Sequence, residues 1–445
     1  MFAAGETSKP GLTTRLPVAA GGDARKSTSI QAGAGWSHTF GYRNVMTAGV
    51  FATTGHDRRF RQRLSSASLV DESLGFPIFF DVTGEATEIR RTEVDGVVAA
   101  VNHTIGLGDV TFRHGIEVQR GTTKGMQDTS VLLSYRDRTF DGLLDFSESA
   151  SENLVSRGDF RAGRAYADAL WRPSDRFEAE VGIQGTIAET ESQLFPSNAP
   201  VTYTRDKDKT ADPRIGAAFS PVEGQWFRAA YRRDTELPIG ITLSPVTTVG
   251  LAPNPVPLAI GGRTETLAFR WDAEWHPRFF TAVEYQRQNV RNLDLPIIDT
   301  LDTLSVTSGR IDRVAATANI WLGYGIGVFG TVGAASSENK SEGADYGRPI
   351  PFVAERFARA GLTFVHPSRL KFTLAQTFIG DRTGDLAGVT LDDYWTTDAA
   401  VTWETPDRRL QFGLALLNMF DNDYELAPGI PGPGRTVSAT MKARF

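Results

Sequence analysis

The last ten residues, Thr436 to Phe445, constrain this chain more than any other stretch, because they sort into two faces with a period of two. Val437, Ala439, Met441, Ala443 and Phe445 fall on one face of an extended strand, and Thr436, Ser438, Thr440, Lys442 and Arg444 fall on the other. A strand with an apolar side, a charged side and a terminal aromatic suits a position between lipid and water, so the five apolar residues read as a barrel-closing signal for a bacterial outer membrane.

The same alternation recurs upstream. Leu267, Phe269, Trp271, Ala273 and Trp275 share a face against Arg270, Asp272 and Glu274. Phe177, Ala179, Val181, Ile183 and Ile187 oppose Glu178, Glu180, Gln184 and Thr186, and Val110, Phe112, Ile116 and Val118 oppose Thr111, Arg113, Glu117 and Gln119. A helical period of 3.6 would smear these charges over the apolar face, so strands are predicted. Mean hydropathy is only −0.24, and no run of about 18 apolar residues exists to make a membrane helix. A barrel accounts for both, since every second residue faces water.

The connections alternate in length. Short turns with Pro read Trp171 to Phe177, Phe219 to Trp226, Trp275 to Phe279, Val365 to Leu370 and Trp403 to Arg408, most with an aromatic residue at the strand end. Long polar connections are expected at 61 to 85, 194 to 209, 239 to 262, 293 to 308 and 339 to 353. Short turns on one rim and long loops on the other define an all-β, antiparallel, up-and-down transmembrane barrel of roughly 16 to 22 strands, with about 18 to 20 preferred. Residues 122 to 159 read as one long loop or an extra hairpin around Val131 to Tyr135 and Leu143 to Phe146. Residues 1–25 read as a leader, linker or first strand, and 26–445 as the barrel. The start, Met1-Phe-Ala-Ala-Gly-Glu, lacks the apolar core of a secretory signal, so the chain is read as a mature product or a fragment.

The chain resembles the barrel portion of TonB-dependent outer-membrane receptors. The carriers are Leu417-Asn-Met-Phe-Asp-Asn-Asp-Tyr424, with Asn418, Phe420, Asp421 and Tyr424 in the family-like positions, and Gly434-Arg-Thr to Phe445 as the closing strand. Asp212-Pro-Arg-Ile-Gly-Ala-Ala-Phe-Ser-Pro221, followed by Trp226 to Arg232, is similar to a family hairpin. The family's plug and TonB-contact segment are not found in this sequence. The resemblance implies a receptor and transport barrel that takes up a siderophore, cobalamin or carbohydrate through a gated lumen. The alternative is a plugless channel or export barrel working with a periplasmic module.

Its expected place is the outer membrane of a Gram-negative bacterium. The expected partners are membrane lipid and lipopolysaccharide, the barrel-assembly machinery, and TonB through a plug.

No catalytic set, metal site or cofactor is expected. The six His residues, His38, His56, His103, His114, His276 and His366, read as interfacial or turn residues. Asp206 to Asp212 and Asp381 to Asp385 offer carboxylates of the kind Ca²⁺ uses, but solvated loops with self-paired charges are the preferred reading. The stretch Phe76 to Phe80 either folds inward or starts the next strand, with the strand preferred. The Pro-rich stretch Ser244 to Pro257 reads as a stiff extended surface loop. A net charge of −6 gives no basic excess for nucleic acid.

Overall fold

The computed structural model describes residues 2–8, 20–71, 77–197, 199–296 and 303–444. Phe445 and the segment 9–19 therefore lie outside the described residues. The first part of the wall is β1 (Phe2–Ser8), β2 (Ala20–Gly41), β3 (Asn44–Asp71), β4 (Ile78–Leu107), β5 (Val110–Asp137), β6 (Phe146–Ser174), β7 (Phe177–Pro196) and β8 (Thr202–Phe219). It continues as β9 (Gln225–Thr235), β10 (Leu258–His276), β11 (Phe279–Pro296), β12 (Thr303–Gly323), β13 (Ile326–Asn339), β14 (Arg356–Val365) and β15 (Leu370–Ile379). The last part holds β16 (Arg382–Thr383), β17 (Thr390–Leu391), β18 (Tyr394–Glu404), β19 (Leu410–Leu417), β20 (Glu425–Ala427), β21 (Ile430–Pro431) and β22 (Thr436–Ala443).

Each strand from β1 to β15 pairs antiparallel with the next, and the ladder continues through β18 and β19 to β22. The result is one 18-stranded meander, inside the expected range, while β16–β17 and β20–β21 form separate two-stranded ribbons. The sequence expectation that segment 122 to 159 holds a long loop or an extra hairpin is corrected here. Val131 to Tyr135 belongs to β5, and Phe146 opens β6 opposite Tyr135.

The two faces separate as the period of two demands. Ile116, Val181, Ile183 and Ile215 are more than half exposed on the outside, whereas Glu117, Gln119, Glu180, Gln184 and Arg214, one residue away, are buried on the inside. A soluble sheet would invert this distribution. Burial of polar groups and exposure of aliphatic ones is stable only where lipid covers the exposed face.

From Phe177 to Ile187 the outward apolar stripe of β7 runs about ten residues, roughly 33 Å along the strand. Strand tilt reduces that to the ~25 Å height of an apolar barrel band.

Aromatic clusters mark the short-turn rim. Trp36, His38 and Phe40 follow one another with ring centroids 5.7 and 4.6 Å apart, and His103 meets His114 at 5.1 Å. Trp171 packs on Phe177, and Trp403 stacks on Phe412. Phe378 and Trp395 hold the opposite rim at 4.6 Å. Amphipathic rings at both interfaces form the expected belts.

The closing strand is in the expected register. Val437, Ala439, Met441 and Ala443 stand opposite Leu416, Leu414, Phe412 and Leu410 on one face. Ser438, Thr440 and Lys442 stand opposite Ala415, Gly413 and Gln411 on the other.

Three of the expected long connections are shorter than predicted. β3 continues to Asp71, β7 to Pro196 and β11 to Pro296, so much of 61 to 85, 194 to 209 and 293 to 308 is strand. Above the membrane both faces meet water, and the alternation that identifies a strand disappears although the ladder continues.

Candidate functional site: a strap across the inner wall

The connection between β9 and β10, residues 236–257, does not lie on the surface. It crosses the inward face of the wall from β4 to β11 and returns. Leaving β9, it reaches Ile239, which packs with Val98 of β4 and Phe160 of β6. The contact is close because residue 96 is Gly: a Cβ there would come within 2.5 Å of Ile239 Cδ1.

Gln119 of β5 fixes this point by accepting from the Ile239 N–H at 3.0 Å and donating to its carbonyl at 2.8 Å. Thr242 donates to Glu117 at 2.6 Å.

The return limb uses the wall in the same way. Tyr166 donates to the Leu243 carbonyl at 3.1 Å, Arg214 to that of Pro245 at 2.9 Å, and Gln286 and Gln288 to those of Ala252 and Asn254 at 2.8 Å. An extended, Pro-rich strand cannot satisfy its own backbone, and a buried unpaired amide or carbonyl costs about 1–3 kcal/mol. The inward polar side chains of the wall supply what the strap lacks.

The return limb contains a tight turn. Val249 and Gly250 both have positive φ, 43° and 81°, and Thr248 and Leu251 exchange backbone hydrogen bonds of 2.9 and 2.8 Å around them. Such a turn suits Gly and Asn, and a β-branched residue there is strained. Val249 is held by its N–H donating to Glu180 at 2.8 Å and its carbonyl accepting from Arg228 at 3.0 Å. Its side chain, together with Leu251, is buried against Ala218, Ala230 and Ala268 of the wall.

Behind the strap the wall carries a buried ionic cluster. Asp168 stands between Arg113 at 3.2 Å and Arg214 at 3.1 Å, and Arg113 also reaches Glu180 at 2.8 Å. Other inward charges are paired as well: Arg228 with Asp272 at 3.1 Å, Arg270 with Asp272 and Glu284, and Arg232 with Asp234. Glu178 pairs with Arg172. Most of the inward charges are thus paired with the opposite sign.

Between strap and wall lies a cavity of about 370 Å³, lined in part by Glu117, Arg164, Arg232, Asp234, Thr242 and Ser244. Arg164 Nε and Arg232 Nη1 are buried there with no hydrogen-bond partner.

The Pro-rich stretch was expected as a solvated surface loop, and that expectation is overturned: Val249 and Leu251 are almost completely buried. Leu237, Ile239, Ile241, Val249 and Leu251 carried the signal, aliphatic residues in a connection whose five prolines keep it from reading as strand. A second connection, 340–355, also packs onto the wall, with Ile350 buried among Val290, Val306 and Ile311. Phe76 lies outside the described residues, while Ile78 and Phe80 open β4 as preferred, and Phe80 packs on Phe146.

The family-like motif shapes the last long connection. Asn418, with φ 46°, donates to the Asn422 carbonyl at 2.8 Å and accepts from its N–H at 3.0 Å. Asp421 accepts from the Arg435 N–H at 2.7 Å, and Tyr424 stacks on Tyr394 at 4.2 Å. Phe420 is exposed.

The carboxylates considered for Ca²⁺ are committed elsewhere: Asp212 accepts from Thr210 and Thr235, and Asp385 from the Gly388 and Val389 amides. Among the described residues no group of three acidic or His side chains is placed to hold a metal.

A wall with apolar residues outside, paired charges inside and loops laid on the inner face defines an outer-membrane receptor-type barrel. The family described as TonB dependent receptor-like, beta-barrel, matches residues 3–419. The chain belongs to that family, whose members are receptors and transporters of the Gram-negative outer membrane, and this is its location.

Solved structures give the same fold. The ferric yersiniabactin uptake receptor FyuA from Yersinia pestis is 14% identical, with 100% of this chain and 79% of that one covered and a TM-score of 0.52. The unliganded ferric citrate transporter FecA is 13% identical, covering 100% and 73%, at 0.56. The copper transporter OprC is 11% identical, covering 100% and 75%, at 0.58. No curated protein matches by sequence.

Proposed function

We propose that the barrel takes up a ligand of the siderophore, cobalamin or carbohydrate class, and that the ligand passes the strap 236–257 on its way through the lumen. The observation that carries this reading is the cavity between strap and wall. Its lining combines aliphatic residues with charges of both signs, and it holds two buried arginine nitrogens, on Arg164 and Arg232, without partners. Ligand oxygens would satisfy those donors.

The strap is held by side-chain hydrogen bonds more than by a large apolar core, so a ligand that competes for Glu117, Arg164 and Arg232 would loosen it. Gating is then displacement of a loop, completed by a plug and TonB as the family implies. The function is binding and transport, with no bond made or broken.

Val437, Ala439, Met441, Ala443 and Phe445 act in this reading as the signal read by the assembly machinery. Asn418, Asp421 and Tyr424 shape the connection before it.

The test is binding of a panel of ferric siderophores, cobalamin and oligosaccharides to the refolded barrel by calorimetry. One class should bind, and binding should be lost in Arg164→Ala with Arg232→Ala. Binding by none, together with a large ohmic conductance of the wild-type chain, would favour the plugless channel.

A further inference from the structure

On the outer face of β2 to β6, above the apolar band, basic side chains stand directly opposite one another. Arg120 of β5 faces Arg161 of β6, and Lys124 faces Arg157. Arg58 of β3 faces Lys26 of β2 on one side and Arg91 of β4 on the other. Directly opposed residues lie within about 4.5–5.5 Å at Cβ, where like charges repel.

All seven are exposed, and Arg120, Lys124, Arg157 and Arg161 enter no ion pair among the described residues. The face is outward, because Ile116 and Val118 share it with Arg120 while Glu117 and Gln119 point to the strap.

The acids on this face do not cancel the excess. Glu93 stands opposite Lys124 and lies near His56 at 3.8 Å, Asp95 accepts from Thr54 at 2.5 Å, and Asp159 is exposed, so three acids face seven bases. Glu189, which stands opposite Arg161 on the next strand, and Glu191 are both paired with Arg205. A row of opposed cations is stable when anions bridge them, and phosphate does so with short charge-assisted hydrogen bonds.

The position selects the source of the phosphate. Val97 and Val118, about half exposed, lie beside or directly below Arg120 on the outer face. A headgroup bound at Arg120 and Arg161 therefore sits where its own acyl chains cover that apolar surface.

We propose that Arg120 and Arg161, with Lys124, Arg157, Lys26, Arg58 and Arg91 above them, bind the phosphate groups of the outer-leaflet glycolipid. The site is independent of the ligand route through the lumen.

The experiment is native mass spectrometry of the full refolded chain in micelles holding equal amounts of bisphosphorylated and dephosphorylated lipid A. The wild type should retain the bisphosphorylated form by about tenfold, equivalent to 1.4 kcal/mol. Arg120→Ser with Arg161→Ser should bring the two lipids to parity, whereas Arg287→Ser, on another part of the wall, should keep the preference.

Adding millimolar inorganic phosphate should leave the preference intact. Its loss would mean that a free phosphate site was mistaken for a lipid site. Equal retention by the wild type, which does not depend on any variant folding, would overturn the proposal, as would an unchanged preference in the double variant.

Discussion

The two sides of this wall differ mainly in height. β4 has 30 residues and β6 has 29, while β19 and β22 have 8 each. The lipid band is common to both, so the difference lies above the membrane, and the tall side carries the strap seat and the exterior basic patch. The short side is lined by small polar pairs such as Thr317 with Thr331 and Thr363 with Thr373. Height on one side gives a surface on which a long loop can be held inside the lumen.

The sharpest contrast concerns buried charge. Asp168→Ala on the tall side would leave Arg113 and Arg214 without their shared carboxylate and should cost about 3–5 kcal/mol. Asp398→Ala on the short side removes an acceptor for the Asn418 N–H and should cost only about 1–3 kcal/mol. Urea unfolding in detergent would measure both, and equal losses would break the comparison.

The lipid band should be indifferent to wall height. Ile183→Arg, at the middle of the outer face of β7, and Leu414→Arg, on the outer face of β19, should each cost about 2–4 kcal/mol. A much smaller loss at either would mean that the residue does not face lipid.

Gln119→Ala should loosen the strap by about 1–3 kcal/mol, because it leaves the Ile239 amide and carbonyl unpaired. The readout is faster proteolysis within 240–256, with no change in the short connections of the other side.

The smallest effect is at the β18–β19 turn. The Thr405 hydroxyl and the Arg409 N–H donate to Asp407 and hold its carboxyl below the usual carboxylate range. A depressed carboxylate contributes stability above the unfolded pKa and loses it as pH falls through the folded one. Asp407→Asn should therefore flatten the acid limb of the melting profile slightly, and an unchanged limb would show that the turn does not contribute.

The band and the strap were not equally legible. Wherever a strand borders lipid, its period of two is forced by the solvent on each side, and Leu267 to Trp275 or Val437 to Ala443 can be read without a structure. Above the band that forcing stops: Thr202 to Lys209 and Ser147 to Asn153 are strands held by their neighbours, and they show no alternation of apolar with polar residues. The strap was hidden for a related reason. Its burial is decided by Gln119, Glu180, Gln286 and Gln288 on distant strands, and no local pattern in Ser244 to Pro257 records those partners. The opposed bases of β5 and β6 were illegible until register placed Arg120 across from Arg161.

Because the chain has no Cys, an introduced pair reports the strap's position without background. A Cβ built on Gly216 of β8 would lie 2.8–2.9 Å from the side chains of Val249 and Thr248, a proximity suited to the short Cβ separation a disulfide needs. The decisive measurement is the extent of cross-linking in Gly216→Cys with Thr248→Cys, assembled in the outer membrane and oxidised, against Gly361→Cys with Thr248→Cys. A strap seated on the tall wall predicts nearly complete cross-linking of the first pair and none of the second. Absence of the first cross-link, or equal yields from both, would contradict it.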